Sequence, residues 1–296
     1  MRNRSPLTSG TGQYDQSVNS GNRTCLEPVE AIRFVLERFP FKNYIDPLSN
    51  SHLDTAKCIR RHLTPGAKIL DFGCGPCDQT AVMQSMGFEC FAYDDLSDAW
   101  HVKFDNRDKI ISFAEGIGIR FTLAGPGIGL PYPKESFDMV VLNDVLEHLH
   151  DSPRELMNDL VELIKPGGLL LITVPNAGNI RKRLALLFGG TNYQPYDSFY
   201  WYPGQWRGHV REYVRGDLVS LSHYLGLKIL ELRGCDRMLQ RVGGMARVVY
   251  VGITNAVKGW KDTWTLVAQK GRDWRPQRNL APGTKISRST EYLYGD

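Results

Sequence analysis

The sequence predicts an α/β fold, a doubly wound and mostly parallel sheet covered by helices on both faces. Three observations predict it. Between residues 68 and 174, short and nearly continuous apolar runs alternate with amphipathic helical stretches, the pattern of strands buried on both sides. The first such run, Lys68 to Phe72, passes directly into a glycine-rich bend, Gly73-Cys74-Gly75-Pro76, which is followed by a helical stretch. With 296 residues, 42% hydrophobic and 23% charged, the chain is long enough and mixed enough for a full globular core.

The elements follow in order. Residues 1–24 are polar, rich in Ser, Asn, Gly and Thr, and are expected to be disordered. From Leu26 to Phe39, apolar residues at 29, 32, 35, 36 and 39 form one helix face that stops at Pro40. A second helix is expected from about Asn50 to Leu63, so residues 25–65 read as a helical cap beside the sheet. The main domain is expected to cover 66–270. Its strands are predicted at 68–72, 88–93, 119–123, 137–142, 169–174 and 227–232, with a seventh at 263–269. Helices are predicted over 79–86, 107–118, 151–164, 178–188 and 217–225. Lys165-Pro166-Gly167-Gly168 reads as a helix stop. After Asn176 the rhythm breaks: residues 177–215 read as an insertion, with seven aromatic residues between Tyr193 and Trp206. Residues 271–296 read as an extended tail, and the segment between the sixth and seventh strands is not assigned.

Composition excludes several classes. No apolar run reaches about 18 residues, so no spanning helix is expected. The first residues lack the apolar core of a secretory signal, and the cysteines at 25, 58, 74, 77, 90 and 235 lack framework spacing, which together predict a reduced, cytoplasmic protein. Residues 1–176 hold 17 Lys/Arg against 23 Asp/Glu, whereas 177–296 hold 19 against 9. The basic half suits an acidic acceptor, a membrane surface or nucleic acid, but its charges are dispersed and read first as a solvated face. With no recognition module and no dense basic stripe, nucleic acid is not the expected partner.

A glycine bend at the carboxyl end of a strand is where an open α/β sheet binds nucleotide-like ligands. Gly73 and Gly75, lacking Cβ atoms, let the backbone come close. Asp71 and Asp78 bracket the bend, and Lys68 is the nearest basic residue. A pyrophosphate would meet carboxylates there, so the expected ligand is a nucleoside carrying positive charge. A carboxylate about 20 residues further on is placed to accept both ribose hydroxyls. Asp94 and Asp95 compete for that role, and Asp95 is preferred because Leu96 and Ser97 follow it.

The stretches ILDFGCGP, DDLS, LPYPKESFDMVVLNDVLEHLHD and LIKPGGLLLITVPN, in this order, resemble the motifs of class I S-adenosylmethionine-dependent methyltransferases over roughly residues 66–176. The resemblance implies a Rossmann-like sheet of seven strands with an antiparallel last strand. It implies that Asp71 and the backbone of Gly73, Cys74 and Gly75 hold the methionine end of S-adenosylmethionine, that Asp95 with Leu96 holds the ribose, and that Asn143 and Asp144 lie alongside. Within the class the chain is similar to ubiquinone- and glycan-modifying enzymes, whose substrate side resembles Gly208-His-Val-Arg-Glu-Tyr213. Two departures stand out: Cys77 occupies the usual third glycine, and Ala124-Gly125-Pro126 stand where an acidic residue usually meets the adenine.

These readings predict methyl transfer to a hydroxyl of a sugar, quinone or phenol-like acceptor, with a sugar or glycolipid as the partner. Glu147, His148 and His209 are the candidate catalytic residues, as base or acceptor-positioning groups. Arg211 is a candidate clamp for an acidic acceptor, and His101 a weaker candidate beside the ribose strand. Glu147 and His148 also read as a loop pair capping the next helix, and the aromatic run as either a lid over the acceptor or packing on the sheet. Cys74 and Cys77 have CxxC spacing with no second pair, so no metal site is expected. The rival classes are a non-catalytic partner subunit that binds the methyl donor and an NAD-dependent dehydrogenase.

Overall fold

The computed structural model describes residues 25–45, 50–125, 129–237, 239 and 243–279. The expected disordered segment 1–24, the middle of the loop at 125–133 and the tail beyond 279 lie outside the described residues. Seven strands, β1 (Lys68–Phe72), β2 (Glu89–Asp94), β3 (Arg120–Leu123), β4 (Phe137–Asn143), β5 (Ile164–Pro175), β6 (Leu227–Cys235) and β7 (Thr263–Lys270), form one sheet in the order β3-β2-β1-β4-β5-β7-β6. Strands β1 to β5 pair in parallel, and β7 runs antiparallel to both β5 and β6. The strand order reverses between β1 and β4, which opens a crevice at their carboxyl ends.

Alternation along each strand divides the core into two layers. On one face Ile69, Ala92, Met139, Val141 and Leu171 pack with residues of α1 (Pro28–Arg38), α2 (Ser51–His62), α3 (Asp78–Ser85) and α4 (Asn106–Gly116). On the other, Leu70, Val140, Leu142, Leu170 and Ile172 pack with Leu160 and Val161 of α5 (Arg154–Leu163) and Leu218 of α8 (Arg215–Tyr224). Both faces are therefore apolar, as the unbroken strand sequences require.

The structure differs from the sequence reading in three places. Lys165-Pro166-Gly167-Gly168 follows the end of α5, as read, but the fifth strand starts at Ile164 rather than Leu169, so these residues lie within β5 as an irregularity. A side chain at Gly168 would meet the main-chain oxygen of Asp138 at 2.9 Å, so glycine lets β4 and β5 close together there. The aromatic run holds a short helix, α7 (Tyr196–Tyr200), after α6 (Ile180–Leu187), and its rings do not pack on the sheet: Tyr193 and Trp201 are each 78% exposed. Finally, α9 (Gly244–Ala256) fills the unassigned segment. Its Met245, Val248 and Val249 face outward, so it lacks the polar outer face by which a surface helix is read. Buried Asp236 holds it, accepting from Thr254 Oγ1 at 2.9 Å and from Lys261 Nζ at 2.8 Å.

Beyond β5 the chain is pinned by Asn176, which is 1% exposed. Its amide donates to the carbonyls of Gly259 (2.9 Å) and Lys261 (2.7 Å), and its oxygen accepts from the Gly178 amide (2.8 Å). An unpaired buried polar group costs about 1–3 kcal/mol. Asn176→Ala leaves several at once and is expected to lower unfolding free energy by about 2–4 kcal/mol in urea titrations.

Candidate functional site

A cavity of about 660 Å³ opens at the carboxyl ends of β1, β2 and β4. Phe72, Gly73 and Gly75 form one wall, Tyr93, Asp94, Asp95 and Asp98 a second, and Asp144, Val145 and His148 a third. Ala124 lies at the position without an acidic residue, and His101 also lines the space. Tyr44 of the helical cap closes one side, stacked on Trp100 with ring centroids 5.1 Å apart. The cap is fastened to the first helix of the sheet domain by His52 Nε2 and Asp78 Oδ2, 2.8 Å apart.

The glycine bend is held from the neighbouring strand. Asp94 accepts from the Gly75 amide at 2.8 Å through Oδ2 and from the Leu96 amide at 2.7 Å through Oδ1. Gly73 has φ +71, and a Cβ there would meet Val145 Cγ2 at 2.6 Å, so the bend needs glycine twice over. Cys77, standing where a third glycine is usual, caps α3 in the left-handed region with φ 64. Its Sγ lies 3.6 Å from that of Cys74, and both are buried beneath the bend.

The sequence-predicted residues fall into two groups. Gly73, Gly75, Asp95, Asp144 and His148 line the cavity. Asp71, Cys74, Leu96, Asn143 and Glu147 are not on its wall; Asn143 accepts from Thr173 Oγ1 at 3.2 Å and Leu96 is fully buried. The acidic lining is thus Asp94, Asp95, Asp98 and Asp144, and the bracketing pair Asp71 and Asp78 stands behind it. Asp95 Oδ1 accepts from the Ser97 amide at 2.9 Å, while Oδ2 faces Arg207 at 3.4 Å. Burial pushes its carboxyl up, but the bonds from Ser97 and the Arg207 charge outweigh it and hold the group below the ordinary range. Arg207 and Tyr44 were not legible as site residues, because neither belongs to a motif and both arrive from distant segments.

Past β4, a single 3-10 turn (Leu146–His148) carries Glu147 inward. Glu147 is completely buried and neither carboxylate oxygen has a partner. Burial, then the nearby Asp144, pushes it up to about 9. Its main-chain oxygen accepts from the Val210 amide at 2.7 Å, which seats the 208–213 stretch against the turn. His209 thereby comes to His148, with ring centroids 5.1 Å apart. His209 lines a second cavity of about 320 Å³, with Tyr193, Gln194, Arg211 and Glu212. Burial, then the His148 and Lys182 charges, presses the His209 imidazole down to about 4. Arg211 is turned toward Asp217, 3.6 Å away.

The comparisons with known proteins agree with this architecture. Residues 47–232 match a family model described as a methyltransferase domain. The chain belongs to this methyltransferase family. Over 133 residues it is 30% identical to phosphoethanolamine N-methyltransferase 1 of Arabidopsis thaliana, covering 43% of the chain and 25% of that protein. Over 115 residues it is 30% identical to a demethylmenaquinone methyltransferase of Corynebacterium glutamicum, covering 38% of the chain and 44% of that enzyme. The matches thus span less than half the length of these relatives. A solved SAM-dependent methyltransferase from Methanosarcina mazei shares the fold with a TM-score of 0.50 and 19% identity, covering 72% of this chain and 97% of that one.

S-adenosylmethionine, the cofactor of such methyltransferases, fits the chemistry of the cavity. Four acidic residues, Asp94, Asp95, Asp98 and Asp144, line the space, against Arg207 as the Lys/Arg residue on its wall, which suits a ligand with a sulfonium and an ammonium. At Gly75 a Cβ would meet nothing within 4 Å, so the backbone there borders open space.

Asp71 provides a pH test of the site's foundation. It is 2% exposed, and its Oδ2 accepts from Thr80 Oγ1 at 2.6 Å. Burial pushes its carboxyl from 3.8 up to about 7, against the opposing bond from Thr80. The folded chain therefore keeps a proton that the unfolded chain releases, and stability falls as pH rises from about 4 to about 7, then levels off. Asp71→Asn is expected to flatten that decline, by on the order of 4 kcal/mol across the window, in denaturant titrations at stepped pH.

Proposed function

We propose that the chain transfers the methyl group of S-adenosylmethionine to a hydroxyl oxygen of a small acceptor, a sugar or a quinone- or phenol-like ring, alone or within a glycolipid. The observation that carries this reading is the placement of the two histidines. His148 lies on the wall of the acidic cavity and His209 on the wall of the second, polar cavity, and their rings meet between them. A donor held in the first space and an acceptor in the second would face each other across this pair.

When bound, S-adenosylmethionine supplies an electrophilic methyl on a sulfonium, which departs as a neutral thioether keeping the electron pair of the broken bond. The chain's part is then to align and to handle one proton. Alignment of this kind is worth about 7–11 kcal/mol. Asp95 accepts the ribose hydroxyls, and Asp94 keeps the glycine bend in place for the methionine end. His148 and His209, with Glu147 buried behind them, position the acceptor hydroxyl, and an imidazole of the pair draws off its proton as the new oxygen–carbon bond forms. Residues 177–215, with their exposed aromatic rings, act as the lid of the acceptor cavity. The polar lining of that cavity favours a hydroxyl-rich acceptor over a wholly apolar one. We place the enzyme in the cytoplasm; no helix among the described residues is long and apolar enough to cross a membrane.

The built second cavity argues against a binding-only subunit, while Cys77 in place of the third glycine and the carboxylates around the glycine bend argue against a dinucleotide pyrophosphate. Titration calorimetry is expected to show binding of S-adenosylmethionine and of its demethylated product, and none of NAD. Asp95→Ala is expected to weaken the methyl donor by about 10- to 100-fold, the worth of hydrogen bonds to a charged acceptor. His148→Ala is expected to lower turnover by about 10²–10⁴-fold while donor affinity stays unchanged. Tight NAD binding without donor binding would overturn the proposal.

A further inference from the structure

We propose that Glu147, His148 and His209 bind a divalent first-row transition-metal ion at the junction of the two cavities. The inference rests on the reading of this junction as the acceptor site and names what occupies it.

One ligand atom from each of the three residues lies within 4.8 Å of the others, a spacing that a single ion can draw together. The imidazoles are already oriented as ligands are. His148 Nδ1 is hydrogen-bonded to the carbonyl of Arg207 at 2.7 Å, and His209 Nδ1 to Glu212 Oε1 at 2.8 Å. Each bond fixes one ring nitrogen, leaving Nε2 free to coordinate; carboxylate and carbonyl partners of this kind accompany metal-bound histidines. Glu212 is itself held by Lys182, so its orientation does not depend on solvent. The third ligand supplies the independent observation. Glu147 is wholly buried, and both its oxygens lack any hydrogen-bond partner, a costly arrangement for a carboxyl group unless something absent from the chain itself satisfies it.

Two imidazoles and one carboxylate select manganese, iron, cobalt or zinc over calcium and magnesium, which favour all-oxygen sites. The surrounding charges are Asp144, whose carboxylate faces buried Arg237 at 4.0 Å, and Lys182, which is taken by Glu212. Three protein ligands leave positions open, as in catalytic rather than structural sites. An acceptor hydroxyl entering from the cavity of about 320 Å³ that His209 lines would complete the shell. A coordinated hydroxyl is more acidic, which is the help that oxygen methylation requires.

The test uses the full chain, stripped with a chelator and titrated with cobalt(II) followed by visible absorption, and with manganese(II) by equilibrium dialysis. One ion per chain is expected. His148→Asn and His209→Asn are expected to abolish uptake while circular dichroism and melting remain as in the parent, and donor calorimetry remains so for His209→Asn, so that misfolding of Glu147→Gln cannot mask the answer. Glu212→Gln, which removes the carboxylate shared by His209 and Lys182 but no ligand, is expected to weaken the metal by about 10- to 100-fold. His62→Asn, in the other metal-competent cluster of Cys58, His62 and Glu231, is expected to change nothing, because Arg61 already occupies that carboxylate at 2.8 Å. A parent chain that takes up no ion, or histidine variants that retain it, would overturn the inference while donor binding left the methyltransferase reading intact. Failure of the parent to bind the donor would strike that reading instead.

Discussion

The carboxylate of Asp94 ties together the two loops between which the acidic cavity opens. Through one oxygen it holds the bend after β1 and through the other the turn after β2. A bend with left-handed residues at Gly73, Gly75 and Cys77 has few internal contacts to keep its shape. Without an acceptor from the next strand its amides would turn to water, and the wall presented to a ligand would lose its form. The Gly73 amide, which donates to the Tyr93 carbonyl at 2.8 Å, gives the same bend a second hold from β2.

Much of the fold was legible because its rules are local. The five parallel strands announce themselves by apolar runs, and the glycine bend by the two residues that need room or positive φ. Where the sequence misled, the cause was not local. The Lys165–Gly168 segment does stop the helix, but the strand does not wait for Leu169: Ile164 already pairs with Phe137, and 165–168 form an irregularity before Leu169 pairs with Met139. In α9 the apolar side is the outer one, and the chemistry that retains the helix is a buried carboxylate on a loop before it.

The site was legible to a similar depth. Asp95, Gly73 and Gly75 follow from strand ends and from backbone geometry, and the structure puts them on the cavity. Asp71 and Asp78 entered the reasoning as neighbours in sequence, but a strand sends alternate residues to opposite faces, and the helix start turns Asp78 toward the cap. Asp94, set aside in favour of its neighbour, emerged as the brace. Glu147 and His148 stood out as a pair of titratable residues past a strand end. That His209, some sixty positions later, shares their company depends on main-chain bonds between 147 and 210–211, which no spacing in the sequence discloses.

The acidic cavity takes its walls from Tyr44 near one end of the described chain and from Arg207 far toward the other. No fragment shorter than that span possesses the whole receptor. Ligand occupancy and completion of the domain are consequently one linked equilibrium, so a small molecule filling the space draws the population toward the fully assembled form by mass action. The chain's endurance in the cell would then track how much of its cofactor is at hand.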